Sequence, residues 1–240
     1  MYTKKNIEFA RKRFEKGANF YGNKQIAPQT AQLRVAVKLV TGQGSYKFDV
    51  TKDESVKHVI EQLLKRNDLF VTRAIGIALM MDKNDAPGQA PLMSYPLIDS
   101  LALPTGIKGF TNANAHAIYN GVLGMKTGSQ VNYSRFPCAP FLHVPSTQPV
   151  AIWNGAALIS SGVQPEFNLE NILFELPEEL VFAGTKSQPV TLDFPIKPDA
   201  TLEGPAGYTP YVVLIVDGWI YEGGTTPECD VQGNPYKGLF

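Results

Sequence analysis

The chain has 240 residues, with 22 Lys/Arg against 22 Asp/Glu and a formal net charge of zero. At this length a hydrophobic core forms without disulfides or metal, the 10% aromatic content excludes disorder, and 21 glycines with 18 prolines exclude a coiled coil. The longest clean apolar run is the six residues Tyr211 to Val216, so no helical membrane span is expected, and the charged start MYTKKNIEF lacks the apolar stretch of a secretory signal.

Residues 1–66 hold 14 basic and 6 acidic side chains, and residues 67–240 hold 8 and 16, so the neutral total joins a +8 region to a −8 region. At the extreme N-terminus, Lys4, Lys5, Arg11, Lys12, Arg13 and Lys16 accompany only Glu8 and Glu15. Ile7, Ala10 and Phe14 have helical spacing within this stretch, and an Asn/Gly/Gln-rich linker follows from Gly17 to Pro28. Residues 1–30 therefore read as a basic arm and linker suited to packaged nucleic acid, an anionic membrane surface or an acidic neighbour. A solvated helix face is the plainer alternative.

Leu33, Val35, Val37 and Leu39 alternate with Arg34, Ala36 and Lys38 as in a half-buried strand. Gly42-Gln43-Gly44 predicts a hairpin turn, and Tyr46, Phe48 and Val50 continue the alternation. Val56, Val59, Ile60, Leu63 and Leu64 fall at helical spacing, with Thr51 and Glu54 upstream as a capping box, so an internal amphipathic helix is expected over 55–66. Further strands are expected at Phe70–Met81, with a bend at Gly76, and at Ala117–Met125, Gln130–Ser134, Phe141–Val144, Ala151–Trp153, Ala156–Ile159, Leu180–Ala183, Val190–Phe194 and Tyr211–Tyr221. Asn154-Gly155 and Asp217-Gly218 are expected to be tight turns. The pattern predicts a mainly β protein, a jelly-roll-like β-sandwich over 31–222 with one internal helix, flanked by the basic arm and an extended tail at 223–240. Tyr236, Leu239 and Phe240 end that tail and suit a neighbouring subunit's pocket or the chain's own sandwich.

Catalytic and metal-binding patterns are scarce. His58, His116 and His143 are isolated, so no metal and no cofactor is expected. Cys138 and Cys229 have no basic neighbour to lower a thiol pKa and read as inert. Glu178-Glu179 would point to opposite faces of a strand, and Asp82, Asn84 and Asp85 read as a solvated turn lacking the pattern of a calcium loop.

The runs FVTRAIGIALMM–PLMSYP, AIYNGVLGMKT, RFPCAPFLHVPSTQP and ELPEELVFAGTKSQPVTLDFPI, together covering roughly 69–197, resemble virion structural proteins of bacteriophages. The shared features are a short IYNG-type strand, a VP-x-x-Q loop and a late LP…L…G…V-x-L-x-x-P hairpin. The resemblance implies a jelly-roll capsid or capsid-associated subunit that works by self-assembly without catalysis, is made in the host cytoplasm and resides in the virion. Its partners would be copies of itself and other virion proteins. Charged residues make up 18% of the chain against about 25% in an average domain, as expected where subunit contacts cover much of the surface. The alternative is a glycan-binding attachment module with Trp153, Tyr119 or Trp219 stacking on a sugar. An enzyme on a β scaffold is the least favoured reading.

Overall fold

The computed structural model describes residues 29–51, 58–90, 92–94, 117–127, 130–143, 147–154, 157–165, 172–177, 180–185, 188–196, 202 and 207–222, with the backbone alone at 127, 130–132, 147–154 and 157–165. The strands are β1 (Gln29–Lys38), β2 (Ser45–Phe48), β3 (Leu69–Lys83), β4 (Val122–Thr127), β5 (Gln130–Pro137) and β6 (Thr147–Asn154). They continue with β7 (Ala157–Pro165), β8 (Phe174–Glu175), β9 (Val181–Ala183), β10 (Val190–Asp193) and β11 (Tyr208–Tyr221).

Two antiparallel sheets carry the fold. The first runs β1-β11-β3, with β8 and β9 both pairing along the far edge of β3. The second runs β2-β10-β4-β5, and β6-β7 form a separate two-stranded sheet. Their pairing is nested: β4 with β5, β3 with β8 and β9, β2 with β10, and β1 with β11. The first half of the chain is thus matched in reverse order by the second. Successive pairs alternate between the two sheets, as in one long hairpin that has been wrapped around itself.

Period-two alternation explains why both sheets bury a common core. Leu33 and Val35 of β1, Ile75, Ile77 and Leu79 of β3, and Val212, Leu214 and Val216 of β11 line one wall. Tyr46 and Phe48 of β2, Leu123 and Met125 of β4, and Val190 and Leu192 of β10 line the other. Each such buried side chain contributes about 1.5–3 kcal/mol relative to exposure. The outer face of the second sheet is polar, and β2 shows strict exposed-buried alternation. The outer face of the first sheet is covered instead: Ala36, Ala78, Met80, Val213 and Ile215 pack beneath Ile60, Leu92, Ile172 and Leu173. Because β3 is buried on both faces, it reads as a nearly continuous apolar run.

Several expectations are corrected. The described part of the expected 55–66 helix, residues 58–66, contains no helix. Arg34 and Gln62 exchange both backbone hydrogen bonds, at 2.9 and 3.0 Å, and the Leu64 N–H donates to the Val50 carbonyl at 2.8 Å. The Glu61 carboxylate also accepts from the Ala36 N–H (3.3 Å) and the His58 N–H (3.2 Å). Strand edges thus satisfy the backbone groups that a helix would satisfy internally. The helical spacing of the apolar residues arises from divided destinations: Leu64 enters the main core, Ile60 covers the outer face of the first sheet, and Val59 is 65% exposed.

Gly42-Gln43-Gly44 does turn the chain, with Gly42 at φ +74°, but β1 and β2 lie in different sheets, so the turn is a crossover and no hairpin forms. The Tyr46 hydroxyl pins it, accepting from the Val40 N–H (3.0 Å) and donating to the Val40 carbonyl (3.2 Å). The late pair Leu180–Ala183 and Val190–Phe194 is likewise split, β9 in the first sheet and β10 in the second. Residues 117–119 are a helical turn that buries Ile118 and Tyr119, and the strand begins only at Val122. Where a strand was expected over Phe141–Val144, Phe141 ends a 3-10 turn (Ala139–Phe141) and Leu142 and His143 are irregular. β6 and β7 pair antiparallel up to Asn154 opposite Ala157, while Gly155 of the expected turn lies outside the described residues.

Asp217-Gly218 is no turn, because it lies inside β11. Asp217 pairs with Ala74 and Gly218 with Thr72, so Arg73 is the extra residue of a β-bulge. Gly76, the expected bend, stays in register with Ile215. The bulged Arg73 reaches back to Asp217, Nη2 to Oδ2, at 2.6 Å. A Cβ at position 218 would overlap the Val71 carbonyl oxygen, so glycine is what lets the two strands meet at the bulge. Replacing Gly218 by Val is expected to cost about 3 kcal/mol in urea unfolding through overpacking of a buried strand pair. A loss under about 0.5 kcal/mol would show that the strands separate there freely.

Candidate functional site

The proposed arm residues Lys4, Lys5, Arg11, Lys12, Arg13 and Lys16 lie outside the described residues, as do Tyr236, Leu239 and Phe240. The structure does locate the two points from which these segments leave. Gln29, which opens β1, pairs with Ile220 near the end of β11. Arm and tail therefore join the folded body at neighbouring positions on one end of the first sheet.

Of the three histidines, His116 lies outside the described residues and His143 follows the 3-10 turn. His58 is buried, and its Nε2 lies 2.8 Å from Asp82 Oδ2. The Gly88 N–H donates to the same carboxylate oxygen at 2.7 Å, and the Ile60 N–H approaches His58 Nδ1 at 3.4 Å. This network assigns the ring proton to Nε2, with Nδ1 as acceptor. The expected solvated turn at Asp82 is corrected: Asp82 is 2% exposed, near the end of β3. Its other oxygen, Oδ1, is buried without a hydrogen-bond partner among the described residues. Lys83 and Asp85, by contrast, form an exposed ion pair at 2.9 Å, which raises the lysine pKa and lowers that of the aspartate.

The Tyr211 ring lies against His58, with centroids 4.6 Å apart and planes inclined by 56°. Burial, reinforced by the Asp82 and Glu61 carboxylates, raises the phenol pKa and keeps its hydroxyl protonated. His58, Asp82 and Tyr211 border a cavity of about 320 Å³, whose wall also includes Val59, Lys83, Asn84 and Pro87. The Asn84 side-chain oxygen accepts from the Thr209 hydroxyl at 2.7 Å. Sequence reading gave no sign of this constellation, because His58, Asp82 and Tyr211 come from three separate segments. Among the described residues no group of three or more His, Cys, Asp or Glu side chains is placed to hold a metal ion.

The aromatics named for sugar stacking fare differently. Tyr119 is a core side chain with its hydroxyl buried, and Trp219 packs against Leu69, Val71 and Tyr221. Only the backbone of Trp153 is described. Glu178-Glu179 and Cys229 lie outside the described residues. Cys138 is fully buried at the start of the 3-10 turn, where its N–H donates to the Gly121 carbonyl at 3.0 Å.

Burial pushes the Cys138 thiol from 9.0 up to about 12, which suppresses the thiolate needed for nucleophilic attack. The native state then keeps a proton that the unfolded chain releases. The thiol's contribution to stability is complete below pH 9 and is lost as pH rises through about 12. Urea titrations across this range should show stability falling more steeply in the parent than in Cys138→Ala, by up to about 1.4 kcal/mol per pH unit. Equal slopes would mean that the thiol titrates normally. Comparison with known proteins finds no family model, no curated protein and no solved structure that matches the chain.

Proposed function

We propose that the two sheets are a jelly roll and that the chain is a structural subunit of a virion, of capsid type, working by self-assembly without catalysis. The nested pairing carries this reading. A first sheet of β1-β11-β3-β9 and a second of β2-β10-β4-β5 match the way a jelly roll wraps one long hairpin into two sheets. That architecture serves viral capsids, lectins and cupins alike, so the order of strands alone does not select among them. Two further features favour the capsid. The chain carries only 18% charged residues, a composition suited to contacts that cover much of the surface. Arm and tail also leave from adjacent points on one sheet, an arrangement suited to draping both over a neighbouring copy. The resemblance of residues 69–197 to phage virion proteins points the same way.

Sedimentation velocity and electron microscopy of the purified chain are expected to show concentration-dependent oligomers or closed shells. A monodisperse monomer throughout would overturn the assembly reading. The arm has a separate role in the proposal, as the surface that meets packaged nucleic acid. Six phosphate contacts give a slope of log affinity against log salt of roughly −5. Deleting residues 1–16 should abolish such binding to duplex DNA and leave the thermal melt unchanged. Undiminished, equally salt-sensitive binding after the deletion would remove the arm from that role.

A further inference from the structure

We propose that the cavity between β3, β11 and the 58–60 segment is a binding site for a neutral polyhydroxylated ligand the size of one pyranose ring. Its location is set by the sheet. Asp82 and Lys83 end β3, Tyr211 lies near the start of β11, and the turn that carries Asn84 and Pro87 closes one side. His58 and Val59 close the other. A volume of about 320 Å³ falls at the small end of the range for ligand sites, roughly 300–1,000 Å³.

The chemistry of the wall selects the ligand class. Tyr211 lines the cavity with an aromatic ring, the kind of surface on which the C–H face of a sugar packs, and Pro87 adds apolar surface beside it. Around them stand groups of both hydrogen-bonding senses. Asp82 is an acceptor, the Lys83 ammonium keeps donors beyond the one it gives Asp85, and Asn84 has its oxygen engaged by Thr209, which leaves its amide N–H groups to donate. His58 and the Gly88 N–H both address Asp82 Oδ2, so they fix the carboxylate and leave Oδ1 as the oxygen without a donor. A buried acceptor left unpaired costs about 1–3 kcal/mol, which a ligand hydroxyl would recover.

Other ligand classes fit less well. A metal ion finds no group of three His, Cys, Asp or Glu side chains among the described residues, and an anion would meet the Asp82 carboxylate with the Lys83 charge already paired to Asp85. A purely apolar molecule would leave Asp82 as it stands. A ligand carrying both donors and acceptors around an apolar face satisfies every wall. His58 acts here in two ways, as part of the wall and as the residue that holds the Asp82 carboxylate in place. The site is independent of self-assembly and places a recognition function beside the structural one.

Saturation-transfer NMR on the full chain with D-glucose, D-galactose, D-mannose and N-acetyl-D-glucosamine tests this. At least one sugar is expected to bind with a Kd on the order of 1 mM. Asn84→Ala changes an exposed residue and should keep the parent melting temperature while weakening that binding at least tenfold. Tyr211→Leu retains apolar bulk and should do the same by removing the ring. Absence of transfer from all four sugars overturns the proposal, and so does undiminished binding in either variant that melts as the parent does. A Tyr211→Leu chain that fails to fold leaves the decision to Asn84→Ala.

Discussion

The structure depends on the pairing of β3 with β11. Their ladder runs from Leu69 opposite Tyr221 to Lys83 opposite Tyr208, and both strands are buried on two sides over most of its length. A strand covered on both faces has no solvent side on which to place polar residues. The pair therefore supplies the inner wall of the main core and also the floor on which the covering segments lie. The bulge at Arg73 is the one interruption, and it changes which residues of β3 face inward: Phe70 and Ile75 both point into the same core although they differ in parity. Without that shift, one end of the strand would turn its apolar residues to the wrong side.

Most strands were legible because a single buried face imprints a period of two. Leu33 and Val35 in β1, and Tyr46 and Phe48 in β2, show this directly. The reading failed where a segment serves two destinations at once. Residues 58–64 have helical spacing because Leu64 turns toward one core and Ile60 toward another, and backbone pairing to β1 decides the conformation. Asp217-Gly218 failed for a related reason. The dipeptide suits both a tight turn and a bulge, and only the partner strand distinguishes them. The crossover at Gly42 was recognised as a turn, but nothing local tells a hairpin from a passage between sheets.

The cavity had no local signature at all. His58 and Asp82 are 24 residues apart, and Tyr211 joins them only through the register of β11 against β3. Each residue alone supports an ordinary reading, a core histidine, a turn aspartate and a strand tyrosine. Their meeting is a product of topology. The charge asymmetry, in contrast, was plain from the sequence. What the structure adds is where the basic arm is attached, beside the end of β11.

The β6-β7 hairpin has a different relation to the rest. It occupies the connection between β5 and β8, and among the described residues its two strands pair only with each other. The nested ladder closes without it, so no register elsewhere is set by its length or sequence. This makes the hairpin a cassette: residues there can be exchanged, shortened or extended while the wrapped pairs keep their partners. A change of length or a grafted peptide at that connection leaves the partners of the nested ladder as they are.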